Sequence, residues 1–397
     1  METFKTIDEC FYLIQNGANI KQGQINGGYP ITRIETISND KFNRDKVGYA
    51  GIFELGKYAS YVLEDGDLLM SHINSPQYLG RTVLYKKKDS EIIIHGMNLL
   101  RLKANVEIIN PGFARYLFYS VPFRRQIAKI TKKSVNQASF SINDLKKVSI
   151  VIPSLSVQEK IVKKLNSAIS VRNYYERQIE LLDELVKARF VEMFGDPIEN
   201  TYSFPILKLG ELSELITKGA SPSWQGYSYT SDSTQTLFVT SENVREGYMD
   251  FSSIKYVEDA FNEKQKRSMI QKGDYLINIV GASIGRAAQF NMDCKANMNQ
   301  AAALVRIKDN TISDNYLLYY LNSDKAQMMY NSMKSDTGRA NLSLQDIANL
   351  EILVPDLTLQ VKFASFVEEI DKSRSRIQKS LEASQELFDS LMQEYFG

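Results

Sequence analysis

Two short loops, each ending in a glycine followed by an arginine, carry the clearest chemistry in the 397-residue sequence. A loop such as Ser75 to Arg81, or Ser283-Ile284-Gly285-Arg286, can offer backbone N–H groups and a guanidinium to a phosphate or a base edge. A β-turn with a surface arginine is the plainer alternative. Near the first loop in sequence lie Lys86, Lys87 and Lys88, then Lys132, Lys133, Ser134, Asn136 and Gln137. The second half places Ser335, Thr337, Arg339 and Asn341 where that last cluster falls. Lys, Arg, Asn and Gln are the side chains that contact phosphates and read guanine and adenine edges. Lys218, Ser221 and Trp224 are further DNA-binding candidates, as is the loop Gly23 to Tyr29; Trp224 could equally anchor a core.

Catalytic sets are missing by contrast. Gly51-x-x-x-x-Gly56-Lys57 resembles a phosphate-binding loop, but Tyr58 stands where Mg²⁺ needs Ser or Thr, and the second half has no counterpart. The nine prolines are never adjacent, so the Asn/Asp-Pro-Pro-aromatic loop of a DNA amino-methyltransferase is absent. Only two histidines exist, His72 and His95, which disfavours a histidine base combined with histidine metal ligands. The expectation is no catalytic residue, no metal ligand and no enzyme activity of the chain by itself. Cys10 and Cys294 are too few for a disulfide framework, no apolar run reaches membrane-spanning length, and the acidic start is no signal peptide. These features predict a cytoplasmic protein.

A net charge of +1 conceals an asymmetry. Residues 1–150 carry 21 Lys and Arg against 14 Asp and Glu, whereas residues 196–355 carry 15 against 19. A basic first third suits a polyanion partner, and an unevenly charged solvated surface is the bland reading.

The elements that would hold these residues occur twice. Ser141, Asp144, Ile150, Pro153, Leu155, Gln158 and Lys160 recur 202 residues later as Ser343, Asp346, Ile352, Pro355, Leu357, Gln360 and Lys362. The match continues without a gap through Arg172/Arg374 to Phe194-Gly195 and Phe396-Gly397, with 14 identities over 55 positions. Upstream the halves correspond with shifting offsets: Leu13-Ile14-x-x-Gly17 with Leu215-Ile216-x-x-Gly219, Gly66-Asp67 with Gly273-Asp274, and Gly80-Arg81 with Gly285-Arg286. Insertions accumulate in loops, so each half is a variable globular body followed by a regular tail. Alternating short apolar runs predict strands at Ala59–Leu63, Leu68–Ser71, Thr82–Tyr85, Glu91–Ile94 and Leu99–Leu102, then a helix over Pro111–Ile130. The second body repeats this with Tyr275–Val280, Arg286–Phe290, Ala302–Ile307 and a helix from Asp314 to about Lys334, so both are mixed α+β domains.

Each tail lacks Gly and Pro up to its closing Phe-Gly. Ser156 and Thr358 are placed to cap helices of ~37 residues, ~55 Å long. Apolar residues recur every 3.5 positions: Ile161, Leu165, Ala168, Tyr175, Ile179, Leu182, Val186 and Met193, interrupted by Arg172 and Arg189. The same stripe returns 202 residues on, from Phe363 to Tyr395. That period specifies a coiled coil, and an antiparallel pair within one chain is the economical arrangement.

This duplicated order resembles the specificity subunit of a type I restriction–modification enzyme over the whole chain. The pieces that carry the resemblance are Lys218-Gly219-x-Ser221-Pro222, Gly273-Asp274-Tyr275-Leu276-Ile277, Ser283-Ile284-Gly285-Arg286, and Asn341-Leu342-Ser343-x-x-x-Ile347 leading to Ile352-x-Val354-Pro355 and Gln360. The first body departs from it: Ser75 to Arg81 is two residues longer than its counterpart, and Asn136 to Phe140 replaces Asn-Leu-Ser. The resemblance implies target recognition domains at 1–152 and 206–354, in pseudo-two-fold repeat, with long helices at 153–195 and 355–397 and a linker at 196–205. It implies a non-catalytic reader of an asymmetric bipartite double-stranded DNA target, with ~16 base pairs spanned between outer edges. Its partners would be two methylation subunits carrying S-adenosylmethionine, and motor subunits using ATP and Mg²⁺; the chain itself would hold no cofactor. A coiled-coil scaffold that does not read DNA is the alternative, and it leaves the recurring Gly-Arg loops unexplained.

Overall fold

A computed structural model describes residues 3–20, 27–38, 41–133, 137–309, 311–334 and 340–397. The chain forms two compact units, residues 1–177 with 378–397, and residues 178–377.

The first unit is built on strands β1 (Thr3–Thr6), β2 (Phe11–Asn16), β3 (Leu68–Ser71), β4 (Thr82–Leu84), β5 (Leu99–Ala104) and β6 (Ser149–Ile152). Four form an antiparallel sheet in the order β2-β5-β3-β4, and β1 pairs with β6. Side chains alternate between the two faces of a strand. Leu68, Met70, Leu100 and Leu102 therefore enter the main core with Phe113, Phe118 and Phe123, while Leu69, Val83 and Leu99 enter a second core with Leu63, Tyr85 and Ile93. Helices α1 (Pro111–Tyr119) and α2 (Val121–Ile130) cover the main core, followed by the long helix α3 (Leu155–Phe194). The expected single helix over Pro111–Ile130 is broken at Ser120, which is extended, ahead of Pro122 in the first turn of α2. Ala59–Leu63 is no strand: Gly56–Tyr61 is a 3₁₀ helix. Glu91–Ile94 contributes only isolated bridges at Ile94.

The second unit repeats the plan with β7 (Ile206–Lys208), β8 (Ser213–Lys218), β9 (Tyr275–Asn278), β10 (Ala287–Gln289), β11 (Ala302–Ile307) and β12 (Glu351–Leu353). The sheet order is β8-β11-β9-β10, and β7 pairs with β12. Helices α4 (Asp314–Asn322) and α5 (Asp324–Met333) take the places of α1 and α2, parted at Ser323, and α6 (Leu357–Phe396) is the second long helix. An added mixed sheet joins Tyr229–Thr230, Tyr256–Val257, Thr236–Val239 and Ala296–Met298 in that order.

One polar device recurs in both cores. Asp67 lies 2.6 Å from Arg101, and Asp274 lies 2.7 Å from Arg306. These pairs account for the matched Gly-Asp sites of the two halves; their partners Arg101 and Arg306 lie on the corresponding strands β5 and β11.

The long helices have 40 residues each. Within the first unit, α3 and α6 run antiparallel: Lys164 Nζ donates to the Tyr395 hydroxyl at 2.8 Å, and Arg172 Nη1 to Gln385 Oε1 at 3.1 Å. Within the second, Arg374 pairs with Asp183 at 2.5 Å, and the Phe190 and Phe363 rings lie 5.4 Å apart. Residues 172 and 374, like 183 and 385, are 202 apart, so one cross-helix contact is made in each unit with the roles exchanged. The expected apolar stripe is buried or half-buried throughout.

The expected caps are corrected. Ser156 and Thr358 lie inside the first turn, and the first helical N–H groups bond the carbonyls of Ser154 and Asp356. The buried Gln158 and Gln360 set this start. Gln158 Nε2 donates to the Pro153 carbonyl at 2.8 Å and its Oε1 accepts from the Asn110 N–H at 2.8 Å. Gln360 Nε2 donates to the Pro355 carbonyl at 2.7 Å and its Oε1 accepts from the Ser313 N–H at 2.9 Å. Each glutamine thereby ties the first turn of its long helix to the residue before α1 or α4.

Candidate nucleic-acid interface

Antiparallel pairing fixes which residues meet at a sheet end. In the first unit, β2 and β3 finish where β5 and β4 begin, which puts Gly17, His72, Arg81 and Leu99 at one end. In the second, the same rule gathers Lys218, Ile279, Arg286 and Ala302.

At that end the two Gly-Arg loops share a bonding scheme. The Gly80 N–H donates to the Ser71 carbonyl and the Ser71 N–H to the Arg81 carbonyl, both at 2.8 Å. The Gly285 N–H donates to the Asn278 carbonyl at 3.0 Å and the Asn278 N–H to the Arg286 carbonyl at 2.9 Å. Both glycines have φ in the left-handed region, +74° and +90°. A side chain at position 285 would strike Tyr330 at 2.6 Å, so glycine is required there for space as well as for φ. The half-buried Arg81 lays its guanidinium over the Tyr78 ring, 4.5 Å from the centroid. Arg286 is exposed and has no side-chain partner among the described residues.

The second sequence cluster is brought to the same end. Lys132–Lys133 pairs with Ala138–Ser139, which pairs with Ile73–Asn74, directly before the first Gly-Arg loop. Both lysines and Gln137 are exposed. In the second unit Val280 bridges Asn341, and the Gly281 N–H bonds the Ala340 carbonyl, so exposed Asn341 stands beside Ser283 to Arg286. The half-buried Ser283 accepts from Asn278 Nδ2 at 3.2 Å, which ties the loop to its strand. Ser134, Asn136, Ser335, Thr337 and Arg339 lie outside the described residues, as does the loop 23–26.

Lys86, Lys87 and Lys88 fall elsewhere. They follow the far end of β4, where the Lys87 N–H bonds Asp65 Oδ1 at 2.9 Å. Arg44 Nη2 holds the Lys86 carbonyl, and Glu91 takes the Lys88 N–H. Arg44 hydrogen-bonds Glu91 and keeps its carboxyl down at about 2, so the turn is clamped by a persistent ion pair. These lysines form a separate basic patch.

Lys218 is exposed at the last position of β8. The following Gly219 approaches the Met298 carbonyl so closely that a Cβ would sit 1.7 Å from it, and Gly17 meets the Gly96 carbonyl likewise at 2.0 Å. That contact explains the matched glycines after Leu-Ile. Beyond it, Ser221 Oγ and Ser223 Oγ are 2.9 Å apart, and Trp224 is 81% exposed. Trp224 anchors no core.

Among the described residues, no group of three or more His, Cys, Asp or Glu could hold a metal ion, and no helix is long and apolar enough to cross a membrane. Residues 2–182 and again 205–385 match the family described as the type I restriction modification DNA specificity domain. The chain belongs to that family. A member of this family is a DNA-recognition subunit and not an enzyme by itself. The specificity subunit named for the MjaX type I restriction enzyme of Methanocaldococcus jannaschii is 27% identical over 398 residues, covering 95% of this chain and 90% of its own. The EcoBI specificity subunit of Escherichia coli is 21% identical over 67% of this chain and 60% of its own. Among solved structures, a chain described for assembly and conformational transition of the type I R-M system superposes with a TM-score of 0.59 at 17% identity, covering all of this chain and 97% of that one. The type I S subunit from M. genitalium gives 0.55, also at 17% identity, covering all of this chain and 96% of that one. At such identities the likeness concerns the fold.

In this specificity chain, sequence reasoning missed the Asp-Arg pairs and the two buried glutamines. Their signal was present as matched identities, but Asp and Arg are 32 or 34 residues apart, and the N–H groups the glutamines accept from are 47 or 48 residues away.

Proposed function

We propose that this specificity chain reads an asymmetric bipartite DNA target, one unit per half-site, and holds two methylation subunits on its long helices. The recurrence of one hydrogen-bonded Gly-Arg loop, at the same sheet end in both units, carries this reading. A guanidinium beside backbone N–H groups positions a protein on phosphates or reads guanine, and exposed lysines and amides beside it add to both. The loops differ in length and neighbours, so the two half-sites differ. A 40-residue helix is about 60 Å long, which suits a target with an unread gap. The chain contributes no cofactor. S-adenosylmethionine belongs to the methylation subunits, ATP and Mg²⁺ to any motor subunits, and the assembly works in the cytoplasm.

Footprinting of the chain with its methylation subunits tests this. A split, sequence-dependent footprint is expected, and replacing residues 206–354 with those of a relative should change one half-site alone. A scaffold that does not read DNA would leave no footprint.

A further inference from the structure

Trp224 is the sole tryptophan of the chain, and its exposure is not slack in a mobile loop. On one side the turn is held by the contact of Gly219 with the Met298 backbone. Pro222 is buried, and its carbonyl accepts from the Gln225 and Tyr227 N–H groups at 2.9 and 3.0 Å. Gly226, at φ +87°, turns the chain back, and the Tyr227 ring packs edge-on against Phe261 at 5.6 Å. The Gln225 carbonyl receives Lys264 Nζ at 3.2 Å. The fold thus clamps both flanks of a large apolar ring and leaves the ring itself in water. Indoles are the side chains that most often become the centre of an interface when so presented.

The charge around it selects the partner. The turn follows directly on Lys218, at the sheet end that also carries Arg286, and Lys264 sits on its flank. Such a setting favours a polyanion with flat apolar faces. Building on the DNA-reading function, we propose that Trp224 is an aromatic wedge that stacks on a base step of the half-site read by the second unit and unstacks it locally. The chain has no second tryptophan, so a wedge of this kind acts in one half-site only. Apolar wedges act this way in duplexes they bend, and a base–aromatic stack is typically worth roughly 1–3 kcal/mol, or about 5- to 150-fold in affinity.

The test uses the chain assembled with its methylation subunits on duplex carrying the site methylated in the host. Permanganate, which oxidises unstacked thymines, should mark one half-site. Trp224→Ala should abolish that reactivity and weaken binding by about 5- to 150-fold, while Trp224→Phe keeps much of both. An unchanged permanganate pattern and affinity in Trp224→Ala overturns the wedge and leaves the DNA-reading function standing. Loss of methylation subunits from the variant with DNA affinity of the remaining assembly intact overturns it in favour of a protein contact. No footprint for the parent assembly overturns both the wedge and the reading it rests on.

Discussion

Arg101 and Asp67 form an ion pair that is almost wholly shut away from water, with side chains 1% and 3% exposed. Burial pushes the Asp67 carboxyl up, and the Glu64 N–H and the Arg101 guanidinium draw it back. Their counterparts Arg306 and Asp274 are 18% and 1% exposed. Removing one partner of a buried pair strands the other charge, at a cost of roughly 3–5 kcal/mol. Arg101→Ala should therefore destabilise by about that amount in denaturant unfolding, and Arg306→Ala by clearly less, because water reaches its site. Equal losses would show that burial is not what sets the cost.

The two basic patches should behave differently toward DNA. Lys132→Ala with Lys133→Ala should lower affinity across sequences and reduce the slope of log K against log salt by about 1–2. Alanines at Lys86, Lys87 and Lys88 should leave the slope within error, since those residues lie at the opposite sheet end. Salt titrations of the assembled complex measure both.

Acid should loosen the first unit. Burial holds His72 at about 4 and His95 at about 3, and the Leu99 carbonyl that accepts from His95 Nε2 at 2.9 Å only partly opposes it. Unfolded histidines take up protons near pH 6.5, so the stability these rings confer is complete above that pH. It is lost as pH falls toward 4 and then 3, by at most about 1.4 kcal/mol per pH unit for each ring. Both histidines are in the first unit, so hydrogen exchange at pH 5 should open its sheet before that of the second. The double variant His72→Gln, His95→Gln should lose less stability than the parent between pH 7 and pH 5.

Phe396 packs on Phe113 at 5.2 Å and belongs to the same unit as β1, just as Phe194 packs on Tyr316 at 4.9 Å in the unit that holds β7. The segment 196–205 bridges the second arrangement. Joining Gly397 to Met1 through a copy of that segment, and reopening the chain within 196–205, should give a folded permutant with the parent's DNA binding. An insoluble or inactive permutant would disprove the equivalence.

The duplication was legible because its ungapped tails preserve a spacing of 202, and the central strands because buried runs such as Leu68–Ser71 and Leu99–Leu102 are short and bounded by turns. Ala59–Leu63 has the same apolar look, yet its first residues close as a 3₁₀ turn and Val62 makes only an isolated bridge to Ile94. Lys86 to Lys88 follow Arg81 closely in sequence, but three residues of extended strand suffice to carry a chain from one end of a sheet to the other. Conversely, Lys132 and Arg81 are 51 apart in sequence and are brought to one sheet end by the Ala138–Ser139 strand, which pairs with both Lys132–Lys133 and Ile73–Asn74. The Gly-Arg loops were visible as motifs; their shared bonding, and the exposure of Trp224, required the fold.

The first unit draws part of its main core from Phe388, Leu391, Met392, Tyr395 and Phe396, whereas the second is complete by residue 377. On the ribosome, chain emerges from the N-terminus at a pace that gives early segments time to fold. The unit begun first must therefore wait, with an apolar flank uncovered, until residues 378–397 appear, while the unit begun second can close before it. Nascent first-unit chains are the stage at which chaperone capture and aggregation should concentrate.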